Sequence, residues 1–304
     1  VGLSPDDRFA RRAEQRRRTR GRRLLAVLAV LVTGIAVGVA AVALAGGGGS
    51  SPDGGGSDGG GPVAAGTTTT STTRKKATEK PVPKLPPIVK AQPGTAETVF
   101  SGPTKGREIA LTFDDGFCPP CVAKLVTVLE QTGAHATFFP NGRYAKSWEP
   151  VAARIRTLIA KGQLVVGNHT YMHGDAKAEG QAAFAADLDR NEKWIRRTFH
   201  VTGRPFVRPP YGSYDSGTLV AAGDQGYTRV ILWSGTLADS SPQTKPYLLN
   251  AIRYWAKPGA IILAHGNYPN TAALLPHILR ILKFRHLKPV TIAELIGDPT
   301  RRTR

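Results

Sequence analysis

From Glu108 onward the chain repeats one arrangement: a short apolar run, a polar break, then a longer amphipathic stretch. Repetition of that kind is the mark of β-α units laid around a parallel sheet. The runs Ile109–Phe113, Ala136–Phe139, Leu164–Gly167, Phe206–Arg208, Thr228–Trp233, Ala260–Ala264 and Lys288–Thr291 are the predicted strands. The predicted helices between them are Val122–Thr132, Pro150–Lys161, Gln181–Phe199, Ser216–Gln225, Pro246–Ala256 and Ala272–Phe284. This count predicts an α/β fold closed as a (β/α) barrel, distorted because a domain over 106–297 falls short of the roughly 250 residues of a full one. An open doubly wound sheet is the alternative, and the two differ in where polar residues collect, since a barrel enzyme gathers its chemistry at the C-terminal ends of several strands.

The first hundred residues cannot build a soluble core, being arginine-rich, then apolar, then rich in Gly, Thr and Pro. Leu24 to Ala45 carries no charge over 22 residues, enough at about 1.5 Å per residue to cross a hydrocarbon layer of about 30 Å. It is read as a transmembrane helix, with the basic segment 1–23 held on the cytoplasmic side and everything beyond Ala45 outside. A signal peptide cleaved after Ala43-Leu44-Ala45 is the alternative, and it exports the same domain as a secreted protein. Residues 46–105 are read as a disordered linker and 298–304 as a basic tail.

The net charge of +19 raises the question of nucleic acid, but its distribution answers no. Residues 1–23 hold +6, the linker and the arginine tail +3 each, and the remainder +7. That suits an anionic envelope, there is no interleaved aromatic platform, and the predicted topology places the domain across the bilayer from cytoplasmic nucleic acid.

The polar residues do collect at the predicted strand ends. Asp114 and Asp115 follow the first strand, and adjacent carboxylates can divide the work of metal ligand and base. His169 and His173 follow the third at a spacing that suits one face of a helical turn, and two imidazoles with one carboxylate make a facial metal site with open positions. Arg208 opens an Arg-Pro-Pro-Tyr-Gly segment ending at Gly212, where a guanidinium can orient a carboxylate and the loop can aim a backbone N–H. His265 closes an apolar strand, where a general acid would be useful. Each feature alone is commonplace: Asp-Asp-Gly is an ordinary turn, and a histidine at a strand end is often a satisfied rim residue.

Taken together, Thr-Phe-Asp-Asp-Gly (112–116), His-Thr-x-x-His (169–173), Arg-Pro-Pro-Tyr-Gly (208–212) and Leu-x-His (263–265) resemble the polysaccharide deacetylase family, the NodB-homology domain of carbohydrate esterase family 4. The resemblance covers about residues 107–297 and includes Ala136–Gly142 and Gly167–His169. It implies that Asp115, His169 and His173 hold a divalent metal, usually Zn2+, that Asp114 is the general base, and that Arg208 orients it. It further implies an oxyanion donor in the backbone N–H of Tyr211, a pocket for the acetyl methyl lined by Leu263, and His265 as the acid that protonates the leaving amine. The implied substrate is an N-acetyl amino-sugar polymer, peptidoglycan or chitin-like, with an O-acetylated glycan or a noncatalytic glycan-binding role as alternatives. In one segment the pattern departs: Asp239, in the position that tunes the catalytic histidine, is followed by Ser240 where the family carries Trp.

The only cysteines, Cys118 and Cys121, are expected to close a small disulfide in an exported domain. A redox dithiol would require a helix N-terminus within a thioredoxin-like fold, and structural zinc would need two further ligands.

Overall fold

The computed structural model describes residues 94–297. The basic segment 1–23, the predicted membrane helix 24–45, most of the linker and the tail 298–304 lie outside the described residues. Among those described, no helix is long and apolar enough to cross a membrane.

The described residues form nine strands and nine α-helices. The strands are β1 (Glu97–Val99), β2 (Glu108–Asp115), β3 (Ala136–Pro140), β4 (Leu164–Val166), β5 (Phe206–Val207), β6 (Arg229–Ile231), β7 (Gly235–Thr236), β8 (Ile261–His265) and β9 (Lys288–Val290). The α-helices are α1 (Pro119–Thr132), α2 (Ala145–Trp148), α3 (Ala152–Ala160), α4 (Ala176–Glu179), α5 (Gln181–Phe199), α6 (Ser216–Asp224), α7 (Lys245–Trp255), α8 (Pro269–Phe284) and α9 (Ile292–Ile296). Every named strand pair is parallel, in two sheets ordered β1-β6-β5 and β4-β3-β2-β8-β7, with β9 added to β2.

The sheets join into a ring at two seams. On one side Asn168, just beyond β4, bridges Val207 in β5. On the other, the chain leaving β6 changes partners: Ser234 donates its N–H to Ile261 O, and β7 then pairs with β8. The predicted strand Thr228–Trp233 is therefore cut short, because its second half turns to close the barrel instead of extending against β5. This closed ring is the distorted (β/α) barrel, not the open sheet.

The domain also begins earlier than the predicted boundary at 106. β1 pairs with β6, Ser101 bridges Ala260, and Ala96 is buried. The Gly and Pro content that makes 46–105 read as linker ends short of this strand, which takes its backbone partners from the barrel.

The core lies between the ring and its helices. Leu125, Val126 and Leu129 of α1 and Leu275, Ile278 and Leu282 of α8 are all buried in one cluster with Ile109, Leu111 and Phe113. Each such side chain is worth roughly 1.5–3 kcal/mol relative to exposure. Side-chain caps set where helices begin: Thr244 for α7, Asp215 for α6, and a Thr291–Glu294 capping box for α9.

Candidate active site

β2 is the central strand, paired with β3 and β9 along its length and with β8 on its other edge. Its C-terminal end carries both carboxylates. Strict alternation along a strand would send Asp115 away from Asp114. Asp115 instead adopts a left-handed backbone (φ 66°), so both carboxylates reach one imidazole: His169 Nε2 lies 3.7 Å from Asp114 Oδ2 and 3.4 Å from Asp115 Oδ1. His173 Nε2 approaches the same Asp115 oxygen at 3.1 Å.

The two histidines do not sit on a helical turn as predicted from their spacing. Thr170 and His173 are left-handed (φ 63° and 60°), and the segment after Asn168 is a loop. Side chains hold this loop where helical bonds would otherwise do so. Asn141 donates to the carbonyls of His169 and Thr170, Asn168 Oδ1 accepts from Thr170 N, and Asp187 Oδ2 accepts from the N–H groups of Tyr171 and Met172.

Among the described residues, ligand atoms of Asp115, His169 and His173 gather within 4.8 Å of one another. The surroundings suit a cation. Asp115 Oδ1 is buried without a hydrogen-bond partner, while Oδ2 accepts from Asn267 Nδ2 at 2.8 Å. His169 Nδ1 lies 2.6 Å from Arg208 O, the arrangement that protonates Nδ1 and presents the lone pair of Nε2. Burial opposes ionisation of Asp115, yet the two imidazoles hold its carboxyl far below the usual range. Burial likewise opposes charge on His169, but Asp114 and Asp115 raise it. Each group is thus tuned by neighbours that would share one ion.

Arg208 is fully buried just after β5. Its guanidinium donates to Asp114 Oδ1 at 2.7 Å, to Thr112 Oγ1 at 2.8 Å and to the carbonyls of Ile231 and Leu232, with Phe139 stacked 4.4 Å away. Such a fork fixes the Asp114 carboxylate more rigidly than a lysine could. Across the strand boundary Asp114 is in register with His265, so the two groups flank one space at the adjoining ends of β2 and β8. His265 Nδ1 lies 2.9 Å from Asp239 Oδ1, while Asp239 Oδ2 accepts from His265 N and from Thr271 Oγ1. Burial disfavours the imidazolium, but the Asp239 hydrogen bond and charge, helped by Asp114 and Asp115, push His265 up to about 9.

Leu263 is two residues before His265 on β8, hence on the same face of the strand. Tyr211 has a left-handed backbone (φ 62°), its N–H takes no partner among the described residues, and its exposed ring meets His173 edge-on at 4.7 Å. Trp233 packs against Gly212 in the same loop. Gly116, after the carboxylates, must be glycine: its φ is 94° and a Cβ would fall 2.5 Å from the Trp148 ring.

Comparisons with known proteins identify the family. The family profile described as polysaccharide deacetylase matches residues 101–230. The chitooligosaccharide deacetylase of Rhizobium leguminosarum bv. trifolii is 32% identical over 192 residues, covering 63% of this chain and 83% of that protein. The chain belongs to the polysaccharide deacetylase family. The peptidoglycan-N-acetylglucosamine deacetylase of Bacillus cereus is 29% identical over 207 residues, covering 67% of this chain and 73% of that one. The solved chitin deacetylase of Colletotrichum lindemuthianum is similar with a TM-score of 0.60 and 27% identity, over 67% of this chain and 93% of that one.

In this polysaccharide deacetylase the residues singled out from sequence converge on one end of the barrel. Sequence reasoning missed Asn267, which seats Asp115 and accepts from the N–H groups of Gly116 and Phe117, and Thr271, which buttresses Asp239. The available signal was Asn267 itself, a polar residue two places beyond a strand-end histidine. Cys118 and Cys121 form a disulfide. They lie at a helix N-terminus, with Cys118 the N-cap of α1, but in a barrel and not the thioredoxin-like fold a redox dithiol would require.

Proposed function

We propose that this chain is a divalent-metal-dependent deacetylase that removes N-acetyl groups from an amino-sugar polymer, peptidoglycan or chitin-like, outside the cytoplasmic membrane. Asp115, His169 and His173 hold the ion, and a mixed imidazole and carboxylate donor set suits Zn2+. When bound, the ion supplies Lewis-acid polarisation of the acetamide carbonyl.

The remaining chemistry belongs to the chain. Asp114, oriented by Arg208, takes a proton from the attacking water. The backbone N–H of Tyr211 donates to the oxygen that gains charge as the carbonyl carbon becomes tetrahedral. Leu263 contacts the acetyl methyl. His265, kept protonated by Asp239, gives its proton to the amine nitrogen as the C–N bond breaks, leaving acetate and a free amino sugar. Exposed aromatics beside the site suit an extended glycan: Phe117, which packs edge-on against half-buried Tyr144 and Tyr268, and Tyr211, whose ring meets His173.

The observation that carries the proposal is the completeness of the set, base with orienting arginine, three-ligand cluster and acid with tuning carboxylate, at the C-terminal ends of the barrel strands. Ser240 stands where the family resemblance places a Trp, and every one of these groups is present despite that departure. Export and tethering by the apolar segment 24–45 complete the proposal, since peptidoglycan lies beyond that membrane. Acetate released from peptidoglycan and chitin oligomers by the full chain should vanish on chelation and return with zinc. Silence on both polymers, with acetate freed instead from an O-acetylated glycan, would make the chain an esterase.

A further inference from the structure

We propose that the end of the barrel opposite the metal cluster is a docking face for an anionic lipid bilayer. The inference rests on the proposed export and tether, and adds an orientation to it.

Between Asp239 and Glu294 the chain contains no Asp or Glu. The parallel topology decides where the cations of this interval fall. α7 descends from the catalytic end into the start of β8, and α8 descends from His265 into the start of β9. Their C-terminal turns therefore share the end away from the active site. Arg253, Lys257, Arg280, Lys283, Arg285 and Lys288 are exposed there. The one acid opposite them in register is Glu108, facing Lys288.

The face also presents two large aromatic side chains to solvent. Phe284 is 87% exposed and Tyr254 67%. Between the two helices runs a groove of about 580 Å³ lined by Leu249, Ile281 and Phe284 together with Arg253, Arg280 and Arg285. A bilayer takes both components, the aromatic ring at the headgroup boundary and the cations on lipid phosphates. A soluble anionic polymer offers nothing to Phe284.

The described segment also begins and ends at this end of the barrel. Gly94 abuts Gly223 at the C-terminal end of α6, and β1 then runs parallel to β6. Gly297 ends α9, whose Glu294 binds His135 just ahead of β3. A domain lying on this face holds its catalytic mouth away from the membrane and toward the polymer above it.

The test uses the full chain with vesicles of phosphatidylcholine, with and without phosphatidylglycerol, and hydrogen exchange over residues 250–288. Anionic lipid should slow exchange in the last turns of α7 and α8, and salt should reverse this. The variant Arg253→Ser/Arg280→Ser/Phe284→Ser should lose the protection while deacetylating soluble oligomers at the parent rate. Each cation removed should weaken the lipid effect about fivefold. Equal exchange on both vesicle types, or protection produced equally by soluble poly(glycerol phosphate), overturns the proposal. Sedimentation with neutral vesicles scores the tether separately. If the chain stays in solution there, protection of the last turns of α7 and α8 by phosphatidylglycerol vesicles still decides the docking face, since segment 1–23 could bind them without it, and absence of that protection overturns the proposal.

Discussion

Replacing Asp239 by Asn tests how the site keeps an acid charged. Asp239 contacts His265 at both the ring and the backbone and is itself held by Thr271, so the substitution changes charge with little change of shape. Raising an imidazole from 6.5 to about 9 favours its protonated form by roughly 3 kcal/mol. Burial opposes that form, and of the groups that raise it Asp239 contributes most. A cation on Asp115 would offset the contributions of Asp114 and Asp115, leaving Asp239 as the main support. Without it His265 falls to its ordinary value or below. An acid catalyst fails as pH rises through its pKa, so the alkaline limb of kcat/KM for an N-acetylated oligomer should move toward neutrality. A pKa returned to about 6.5 leaves roughly one ring in thirty protonated near pH 8, hence a loss of about thirtyfold there and almost none near pH 6. An aryl acetate, whose leaving group needs no proton, should show a much smaller loss. An unmoved alkaline limb, or equal losses on amide and ester, would refute the assignment. The sign is the same for stability: the raised pKa contributes fully below about pH 6.5, and the contribution is lost as pH climbs through about 9.

Two further substitutions separate holding a metal from using it. Asp114→Asn should retain bound zinc by elemental analysis yet lose about a hundredfold or more in kcat, whereas His169→Ala should lose the zinc as well; unchanged zinc content in the second variant contradicts the ligand assignment. Asn267→Ala strips Asp115 Oδ2 of its partner and leaves the N–H groups of Gly116 and Phe117 unsatisfied, so titration with a competing chelator should show metal affinity about 10–100-fold weaker, and parent-like affinity would mean Asn267 does not seat the carboxylate.

The strand and helix succession was legible because inner strands read as apolar runs, unbroken in Ala260–Ala264, and the longer helices carry clear stripes. What escaped was short or depended on partners distant in sequence. β1 is three residues of mixed character whose pairing with β6 only the closed barrel supplies. β7 is Gly235–Thr236, too brief for any periodicity. In the site, residue types and order disclosed the cluster, but not its backbone. A His-x-x-x-His spacing suits a helical turn as well as it suits the loop found, and left-handed Thr170 and His173 are stabilised by Asn141 and Asp187 from other segments. Asp115 is similar: its type indicates a ligand, while the turn that aims it is a matter of φ.

β2 is early in the chain, yet its other edge is filled by β8 and part of its length by β9, both from the final 44 residues of the sequence. The same late segment brings Asn267 onto Asp115 and His265 beside Asp114. The catalytic centre therefore has no half-built form. A ribosome still holding the last strands withholds the seat of the carboxylates themselves, and a fragment ending before β8 carries Asp115, His169 and His173, the proposed metal ligands, without the wall that gathers them. Assembly of this site waits for β8 and β9 to reach β2 and is not an event of local folding.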